Sequence, residues 1–351
     1  MPVIELSDFA LEPVSEAHRA QAQALMDLKT KPLGSLGRLE ELAAQLCAIQ
    51  RRVPPETGRK RILLFAGDHG IVAEGTSAYP QAVTAQMIAN FARGGAAVNV
   101  LARQMEAELE VVDVGVAVTV SGPTLDRNVR RGTRNFAQEP ALTSEEALSA
   151  VAAGRERATA AAEAGIHILA LGEMGIGNTA SASALLSLLL GAPPEETVGR
   201  GTGLNDAQLM HKRAVISRAV ALHHAAVGSP WEILCAVGGL EIAALVGAIL
   251  GAASLRIPIV IDGFICTAAA LTAARLAPLS REAMIFAHRS AEPGHLLALR
   301  SLEAQPLLDL SMRLGEGSGA ALALPLLEAS ARILREMASF EEAGVSAATA
   351  P

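Results

Sequence analysis

The stretch IHILALGEMGIGNTASASALLSLLL, residues 166–190, carries a clear strand-to-helix pattern. It begins with a short apolar run of the kind that forms a buried strand, and from Thr179 onward it is small and apolar enough for a helix. Glycines and one glutamate separate the two parts, which is typical of a strand-to-helix turn. The stretch therefore predicts one βα unit with a glycine-rich turn at the carboxyl end of its strand.

The same alternation of strand and helix extends through residues 61–287. Short apolar runs predict further strands at 61–66, 109–114, 233–237, 257–261 and 283–287. Helical stretches are predicted near 80–103, 144–164, 179–191, 205–227, 240–255 and 264–276. Continuous apolar strands separated by helices favour a mainly parallel sheet covered on both faces. We therefore predict an α/β fold with a three-layer, doubly wound, mainly parallel sheet.

Both ends of the chain are predicted to be helical. Residues 14–52 carry leucine and isoleucine at spacings of three and four, VPPETG at 53–58 indicates a connection, and a helical pattern returns after residue 296. A chain of 351 residues exceeds the usual size of a single core, which favours one large α/β domain plus a smaller helical one.

The composition narrows the possible classes of function. A net charge of −7 and an aromatic content of 3% argue against binding to nucleic acid. The longest apolar segment, residues 242–255, is too short to cross a bilayer. The cysteines at 47, 235 and 266 lie far apart in apolar runs, and the N-terminus lacks the pattern of a signal peptide. We expect a soluble cytoplasmic protein with free thiols.

Glycine and polar residues follow most of the predicted strands, as in GDHG at 67–70, GEMGIGNT at 172–179 and DGF at 262–264. Open α/β sheets bind ligands at the carboxyl ends of their strands, so we expect one shared crevice. Within GEMGIGNT, successive N–H groups can hold a phosphate, and Asn178 and Thr179 can cap the next helix. The segment has neither P-loop nor dinucleotide-binding spacing. The alternative is an ordinary glycine-rich turn.

A second glycine-rich segment, GRGTGLNDAQLMHK at 199–212, supplies Gly201 and Lys212. Lys212 can act as a point charge on a phosphate, or it can be a solvated helix residue. The single tyrosine, Tyr79, precedes a helix that bears Gln86. It can form a wall for a flat aromatic ligand, or it can pack on its own loop.

The segment RLGEGSGAALALPLL, residues 313–327, places one carboxylate, Glu316, between two glycines and ahead of an apolar helix. Backbone amides and the helix dipole favour the ionised carboxylate, whereas apolar surroundings disfavour it. Glu316 is therefore a candidate base, and the alternative is an acidic residue near a helix N-cap. A metal site is not predicted, because Asp68 and His69 are adjacent in sequence and neither HxxxH nor HExxH occurs.

Taken together, these segments resemble one family, the nicotinate-nucleotide–dimethylbenzimidazole phosphoribosyltransferases of the cobalamin nucleotide-loop pathway. The matching segments follow the family's order, and they are KPLGSLGRLEELAAQL, FAGDHGIVAEGTSAYPQAVTAQM, FARGGAAVNVLAR, GEMGIGNTASASAL, GRGTGL, GGLEIAALVGAIL, IPIVIDGFI, HRSAEPGH and PLLDLSMRLGEGSGAALALPLL.

The resemblance implies that 5,6-dimethylbenzimidazole displaces nicotinate from nicotinate mononucleotide, giving α-ribazole 5′-phosphate with inversion at the anomeric carbon. It implies that Glu316 is the general base and that Glu173 lies near the ribose and the base. The residues implied to hold the ribose 5′-phosphate are Gly175, Ile176, Gly177, Asn178, Thr179, Gly201 and Lys212. Those implied to line the benzimidazole pocket are Tyr79, Gln86 and Leu314.

The resemblance also implies a large α/β nucleotide-binding domain of residues 59–295, a small helical domain formed by residues 1–58 and 296–351, and a homodimer. The chain lacks the strand–Asp-Asp–loop motif of enzymes that use phosphoribosyl pyrophosphate. A mononucleotide donor agrees with that absence, and no metal or cofactor is expected.

Two alternatives stay open at the level of sequence. A dinucleotide-dependent oxidoreductase on the same architecture could use Asp113 at the end of the second strand, but the GxGxxG fingerprint is missing. A non-catalytic nucleotide or benzimidazole binder would need the glycine-rich turns and would not need Glu316.

Overall fold

A six-stranded parallel sheet forms the centre of the protein. The computed structural model describes residues 10–120 and 122–346. The strands are β1 (Lys60–Gly67), β2 (Ala107–Gly115), β3 (Leu125–Asp126), β4 (Ile168–Met174), β5 (Ile259–Ile261) and β6 (Met284–Phe286). Their spatial order is β3-β2-β1-β4-β5-β6, and each neighbouring pair is parallel. The predicted doubly wound, mainly parallel α/β fold is confirmed.

The strand order reverses between β1 and β4. At such a switch point the connections leave the sheet on opposite faces, which opens a crevice at the carboxyl ends of the strands. The strand order was not predictable from the sequence, because apolar runs of similar length do not indicate which strands are adjacent in the sheet.

Helices cover both faces of the sheet. In chain order they are α1 (Glu16–Asp27), α2 (Arg38–Gln50), α3 (Ala82–Arg93), α4 (Ala97–Gln104), α5 (Ser144–Glu163), α6 (Asn178–Leu190), α7 (Pro194–Thr197), α8 (Asp206–His224), α9 (Pro230–Val237), α10 (Leu240–Ser254), α11 (Phe264–Leu276), α12 (Pro293–Ser301), α13 (Ser318–Glu336) and α14 (Phe340–Ala343). None of the helices in the described part of the chain combines the length and the apolarity that a membrane span requires.

The two faces of the sheet carry separate apolar layers. Helices α5, α6, α9, α10 and α11 contribute to one layer, and α2, α3, α4 and α13 contribute to the other. Helices α5 and α10 approach very closely, since a Cβ on Gly154 would lie 1.8 Å from the carbonyl oxygen of Ala244. Small residues at such crossings let the core close with few aromatic side chains.

Helices from the two ends of the chain pack together. Residues of α1, α2 and α13 share a small apolar cluster formed by Ala22, Met26, Ala43, Ala44, Cys47 and Leu334. Helices α2 and α13 also pack against the sheet. The boundaries of a separate helical domain at 1–58 and 296–351 stay a prediction, and residues 1–9 and 347–351 of it lie outside the described part of the chain.

Two local predictions were wrong. Residues 233–237 belong to helix α9 and do not form a strand. This helix starts at Pro230, and the hydroxyl of Ser229 caps it by accepting from the Glu232 amide. The helix predicted near 80–103 is two helices, because Gly94 takes a left-handed φ of 76° and ends α3. The two-residue strand β3 was not predicted.

Candidate active site

A cavity of about 440 Å³ opens at the carboxyl ends of the strands. Its walls come from α3, from the ends of β4 and β5, from the segment after β6 and from residues 313–316. The shared crevice expected from the sequence is therefore present. Most of the predicted site residues line this cavity, and the exceptions are Gly177, Lys212 and Gln86.

Glu316 lies in the cavity wall, close to the start of α13. It has a left-handed φ of 64°, and its neighbours Gly315 and Gly317 have φ values of 84° and 80°. The segment sits tightly on β4, since a Cβ on Gly172 would lie 2.7 Å from the carbonyl carbon of Glu316. Three consecutive left-handed residues thus turn the chain so that the glutamate side chain reaches the cavity.

The Glu316 carboxyl group is suited to accept a proton near neutral pH. The residue is 6% exposed, and its Oε2 has no hydrogen-bond partner among the described residues. Burial raises the pKa of Glu316 to about 6, the Val98 backbone N–H opposes this shift, and the charge of Asp262 adds to it. A carboxylate that is ionised at neutral pH and has a free lone pair can act as a general base.

Glu173 is a second buried carboxyl group in the cavity wall. It lies at the end of β4, where the side-chain amide of Asn178 donates a hydrogen bond to its Oε2. Burial raises the pKa of Glu173 well above its usual range, and the charges of Asp262, Glu241 and Glu316 raise it further. The protonated form of Glu173, which can donate a hydrogen bond, therefore persists to unusually high pH.

Asp262 was not predicted as a site residue, and it fixes the helix that follows Glu316. Its Oδ1 accepts from the Ala320 amide at 2.8 Å, in the first turn of α13. His288 lies near the same oxygen, with its Nε2 3.6 Å from Oδ1. Burial raises the pKa of Asp262, and His288 and three backbone amides oppose that shift. Asp262 thus anchors the N-terminus of α13 and, with it, the position of Glu316.

The glycine-rich turn after β4 leads directly into α6, and two of its amides are hydrogen-bonded within the protein. Gly177 has a φ of 99° and is the N-cap of α6, and no side chain makes a capping hydrogen bond there. The Asn178 side chain, which was predicted to cap this helix, donates to Glu173 instead. The N–H of Ile176 donates to the Thr84 hydroxyl at 3.1 Å. The N–H of Asn178 likewise donates to the Gly175 carbonyl at 3.2 Å, so an anion at the N-terminus of α6 would be held by the other amides of the turn.

Lys212 is buried beside this turn and is not the solvated helix residue that the alternative supposed. It is 1% exposed, and its Nζ donates to the Thr179 hydroxyl at 2.8 Å. Burial lowers the pKa of Lys212 to about 8, and Glu292 opposes the shift. The ammonium group also lies close to Gly201, whose Cβ would be 3.2 Å from Nζ. Lys212, Thr179 and Gly201 therefore lie close together, and their role in holding a phosphate stays a prediction.

Glu292 and Arg313, which the sequence reasoning missed, hold the Gly201 loop in place. Glu292 Oε1 accepts from the Gly201 amide, and Arg313 Nη1 donates to the Gly201 carbonyl, both at 2.9 Å. Arg313 precedes Glu316 by three residues, so one side chain ties the segment of the candidate base to the segment beside Lys212.

An apolar wall completes the cavity. Tyr79 and Leu314 line it while staying 51% and 56% exposed, and Val83 and Met87 reach it from α3. Gln86 lies on the same helix, but its side chain is exposed and does not line the cavity. Its role in base binding stays a prediction. Val83 and Met87 line the wall instead, although no sequence motif marked them for it.

Two histidines near the predicted crevice, His69 and His295, are hydrogen-bonded to other protein groups. His69 Nε2 lies 2.7 Å from Glu241 Oε1 in the core. His295 accepts from the Ser290 amide and pairs with the Thr267 hydroxyl, and burial lowers its pKa to about 3. Within the described residues, no group of three or more His, Cys, Asp or Glu side chains is placed to hold a metal ion.

Comparison with known proteins gives consistent relatives over the whole chain. Residues 11–345 match the protein family described as phosphoribosyltransferase. A nicotinate-nucleotide–dimethylbenzimidazole phosphoribosyltransferase from Azotobacter vinelandii is 53% identical over 340 residues, which cover 96% of this chain and 97% of the relative. One from a Geobacter species, strain M21, is 51% identical over 99% of this chain and 100% of its own length. The crystal structure of CobT from Thermus thermophilus superposes with a TM-score of 0.91 at 50% identity, and the match covers 95% of this chain and all of that one.

Proposed function

Because the chain belongs to the nicotinate-nucleotide–dimethylbenzimidazole phosphoribosyltransferase family, we propose that it is an enzyme that moves the 5-phosphoribosyl group of nicotinate mononucleotide to 5,6-dimethylbenzimidazole. The products are nicotinate and α-ribazole 5′-phosphate, and the reaction belongs to cobalamin biosynthesis. The observation that carries the proposal is the meeting, in one cavity, of a carboxyl group whose pKa is about 6 with a glycine-rich turn backed by Lys212.

The two ends of the cavity suit the two substrates. The free amides of the turn after β4, together with the buried ammonium group of Lys212, offer donors and positive charge to a 5′-phosphate. The wall formed by Tyr79, Val83, Met87 and Leu314 offers flat apolar contacts to a benzimidazole. Glu316 and Glu173 line the same cavity, where the ribose would join the two.

The bond changes follow from this arrangement. Glu316 removes the N–H proton of the benzimidazole while the lone pair of the other ring nitrogen attacks the anomeric carbon. The bond from that carbon to the nicotinate nitrogen breaks, and its electron pair neutralises the pyridinium ring as nicotinate leaves. Attack on the face opposite the leaving group inverts the configuration. A positioned general base typically contributes about 10²–10⁴-fold.

Nicotinate release tests the proposal. Purified protein is mixed with nicotinate mononucleotide and dimethylbenzimidazole, without added metal, and nicotinate and α-ribazole 5′-phosphate are separated by chromatography. We expect both products in equal amounts, and none when either substrate is omitted. If neither product forms between neutral and alkaline pH, the proposed function is wrong.

We also propose that the enzyme works as a homodimer in the cytoplasm. In support, two residues at the cavity, Tyr79 and Leu314, leave about half of their surface exposed in a single chain, which a second subunit could cover. The cysteines of the described residues are free thiols, as is usual in a reducing compartment. Light scattering in solution tests the dimer, and a monomeric mass at micromolar concentration would contradict it.

A further inference from the structure

A buried threonine links the two substrate regions of the cavity. Thr84, in the first turn of α3, is 0% exposed. Its hydroxyl donates to Asp68 Oδ1 at 2.6 Å and accepts from the Ile176 N–H at 3.1 Å. Asp68 follows β1 and Ile176 follows β4, so the contact spans the point where the strand order reverses.

Asp68 determines the direction of these hydrogen bonds. Its carboxylate is 1% exposed, and its second oxygen accepts from the Ala117 amide at 2.9 Å. Because a carboxylate only accepts, the Thr84 hydrogen must point to Asp68, which leaves a lone pair for the amide of Ile176. The three groups therefore have a single arrangement that satisfies all of them.

Helix α3 presents its two sides to different partners. Thr84 faces the turn after β4, whereas its neighbours Val83 and Met87 line the cavity on the side assigned to the benzimidazole. Ile176 lies in the middle of the turn assigned to the phosphate. The wall for the acceptor and the turn for the donor are thus joined through one hydroxyl.

The rest of the turn rests on the same strand end by packing. A Cβ on Gly175 would lie 2.2 Å from the Gly67 carbonyl oxygen, and one on Gly177 would lie 3.0 Å from the Cβ of His69. Residues of the segment GDHG at 67–70, for which a metal site was not predicted, therefore pack directly against the turn. Thr84 adds the hydrogen-bonded connection to α3.

We propose that Asp68 and Thr84 are positioning residues that couple the acceptor wall to the phosphate turn, so that loss of the Thr84 hydroxyl weakens the binding of both substrates. The inference rests on the proposed function, because it takes the turn as the donor site and α3 as the acceptor wall. Neither residue touches the reacting atoms, so kcat should change little.

Steady-state kinetics of Thr84→Val test the coupling. The substitution removes two buried hydrogen bonds, the one donated to the Asp68 carboxylate and the one accepted from the Ile176 N–H, and should raise the KM of both substrates roughly tenfold while kcat stays within about threefold. Thr84→Ser keeps the hydroxyl and should restore both KM values. The control is Thr272→Val, which removes another fully buried threonine hydroxyl, bonded to the Ala268 carbonyl in α11, and should leave both KM values unchanged. A rise in only one KM, or a Thr84→Ser variant as impaired as Thr84→Val, would overturn the proposal.

Hydrogen exchange tests the same link without turnover. Binding of inorganic phosphate at the turn of the wild-type protein should slow amide exchange in peptides covering residues 82–93, through the hydrogen bond between Ile176 and Thr84. Thr84→Val should abolish this slowing, and Thr272→Val should keep it. If phosphate does not change the amide exchange rates of α3 in the wild-type protein, the coupling is refuted, even if Thr84→Val does not fold. Because this measurement needs no transferase activity, its failure is distinct from a failure of the proposed function.

Discussion

Replacement of Glu316 by glutamine should greatly lower the turnover rate and remove the dependence of that rate on the ionisation of residue 316. The pKa of this buried carboxyl is about 6, so its ionised fraction falls about tenfold for each pH unit below that value. Wild-type kcat/KM at pH 5 should therefore be about one tenth of its plateau above neutral pH. A glutamate with the ordinary pKa of about 4.3 would keep about four fifths of the plateau at pH 5.

Glutamine fills the same space but cannot take a proton, so we expect turnover to fall by about 10²–10⁴-fold. The assay is nicotinate release between about pH 4.5 and 8.5 for both proteins. Protonation of the free benzimidazole affects both equally, so the difference between the two profiles belongs to Glu316. Glu303→Gln is a matched control, because Glu303 is exposed, lies outside the cavity and shares the left-handed backbone with a φ of 49°. A Glu316→Gln variant within tenfold of wild type, or with the same pH slope, would refute the general-base role.

Three further predictions concern residues in or beside the cavity. Lys212→Met should raise the KM for nicotinate mononucleotide roughly tenfold or more with little change in kcat. In the wild-type protein this KM should rise as the pH passes about 8, because burial lowers the pKa of Lys212 and its charged form is lost there. A KM that does not change with pH in this range would contradict the prediction. Gly172→Ala should lower the free energy of unfolding, measured in urea, by about 1–3 kcal/mol and impair turnover, because the added methyl group would clash with the backbone of Glu316. Unchanged stability and turnover would show that this backbone can move to make room for the methyl group. Met87→Ala should raise the KM for dimethylbenzimidazole more than Gln86→Ala does, because only Met87 lines the cavity, and the reverse order would return base binding to Gln86.

The fold was predictable wherever the apolar pattern has one meaning. The strands β1 and β4 are long runs of mostly buried residues, β2 is buried from Val111 onward, and the predicted positions of all three overlap the observed strands. The run at 233–237 is short and apolar, so it fits a buried strand and a buried helix equally well. Ser229 and Pro230 just before it form a helix start, and this local signal decided the structure.

The candidate site was predictable in part for a similar reason. Glycine clusters mark the turns of Gly175 and Glu316, because unusual backbone angles leave a trace in composition. The burial of Lys212 leaves no such trace, since His211 and Arg213 beside it are typical of a solvated helix face. Asp262 and Glu292 are single acidic residues after short strands, and only the sheet order shows that they meet the same cavity.

The left-handed backbone at position 316 has a consequence for how the sequence can change over time. A glutamate at a φ of 64° is less comfortable than glycine would be there, by roughly 1 kcal/mol. A glycine at this position would increase the stability of the folded protein but would remove the carboxyl group of the candidate general base. Laboratory selection for heat resistance alone should therefore enrich glycine at 316 and yield durable, inert proteins, whereas selection for growth that depends on the product should keep glutamate.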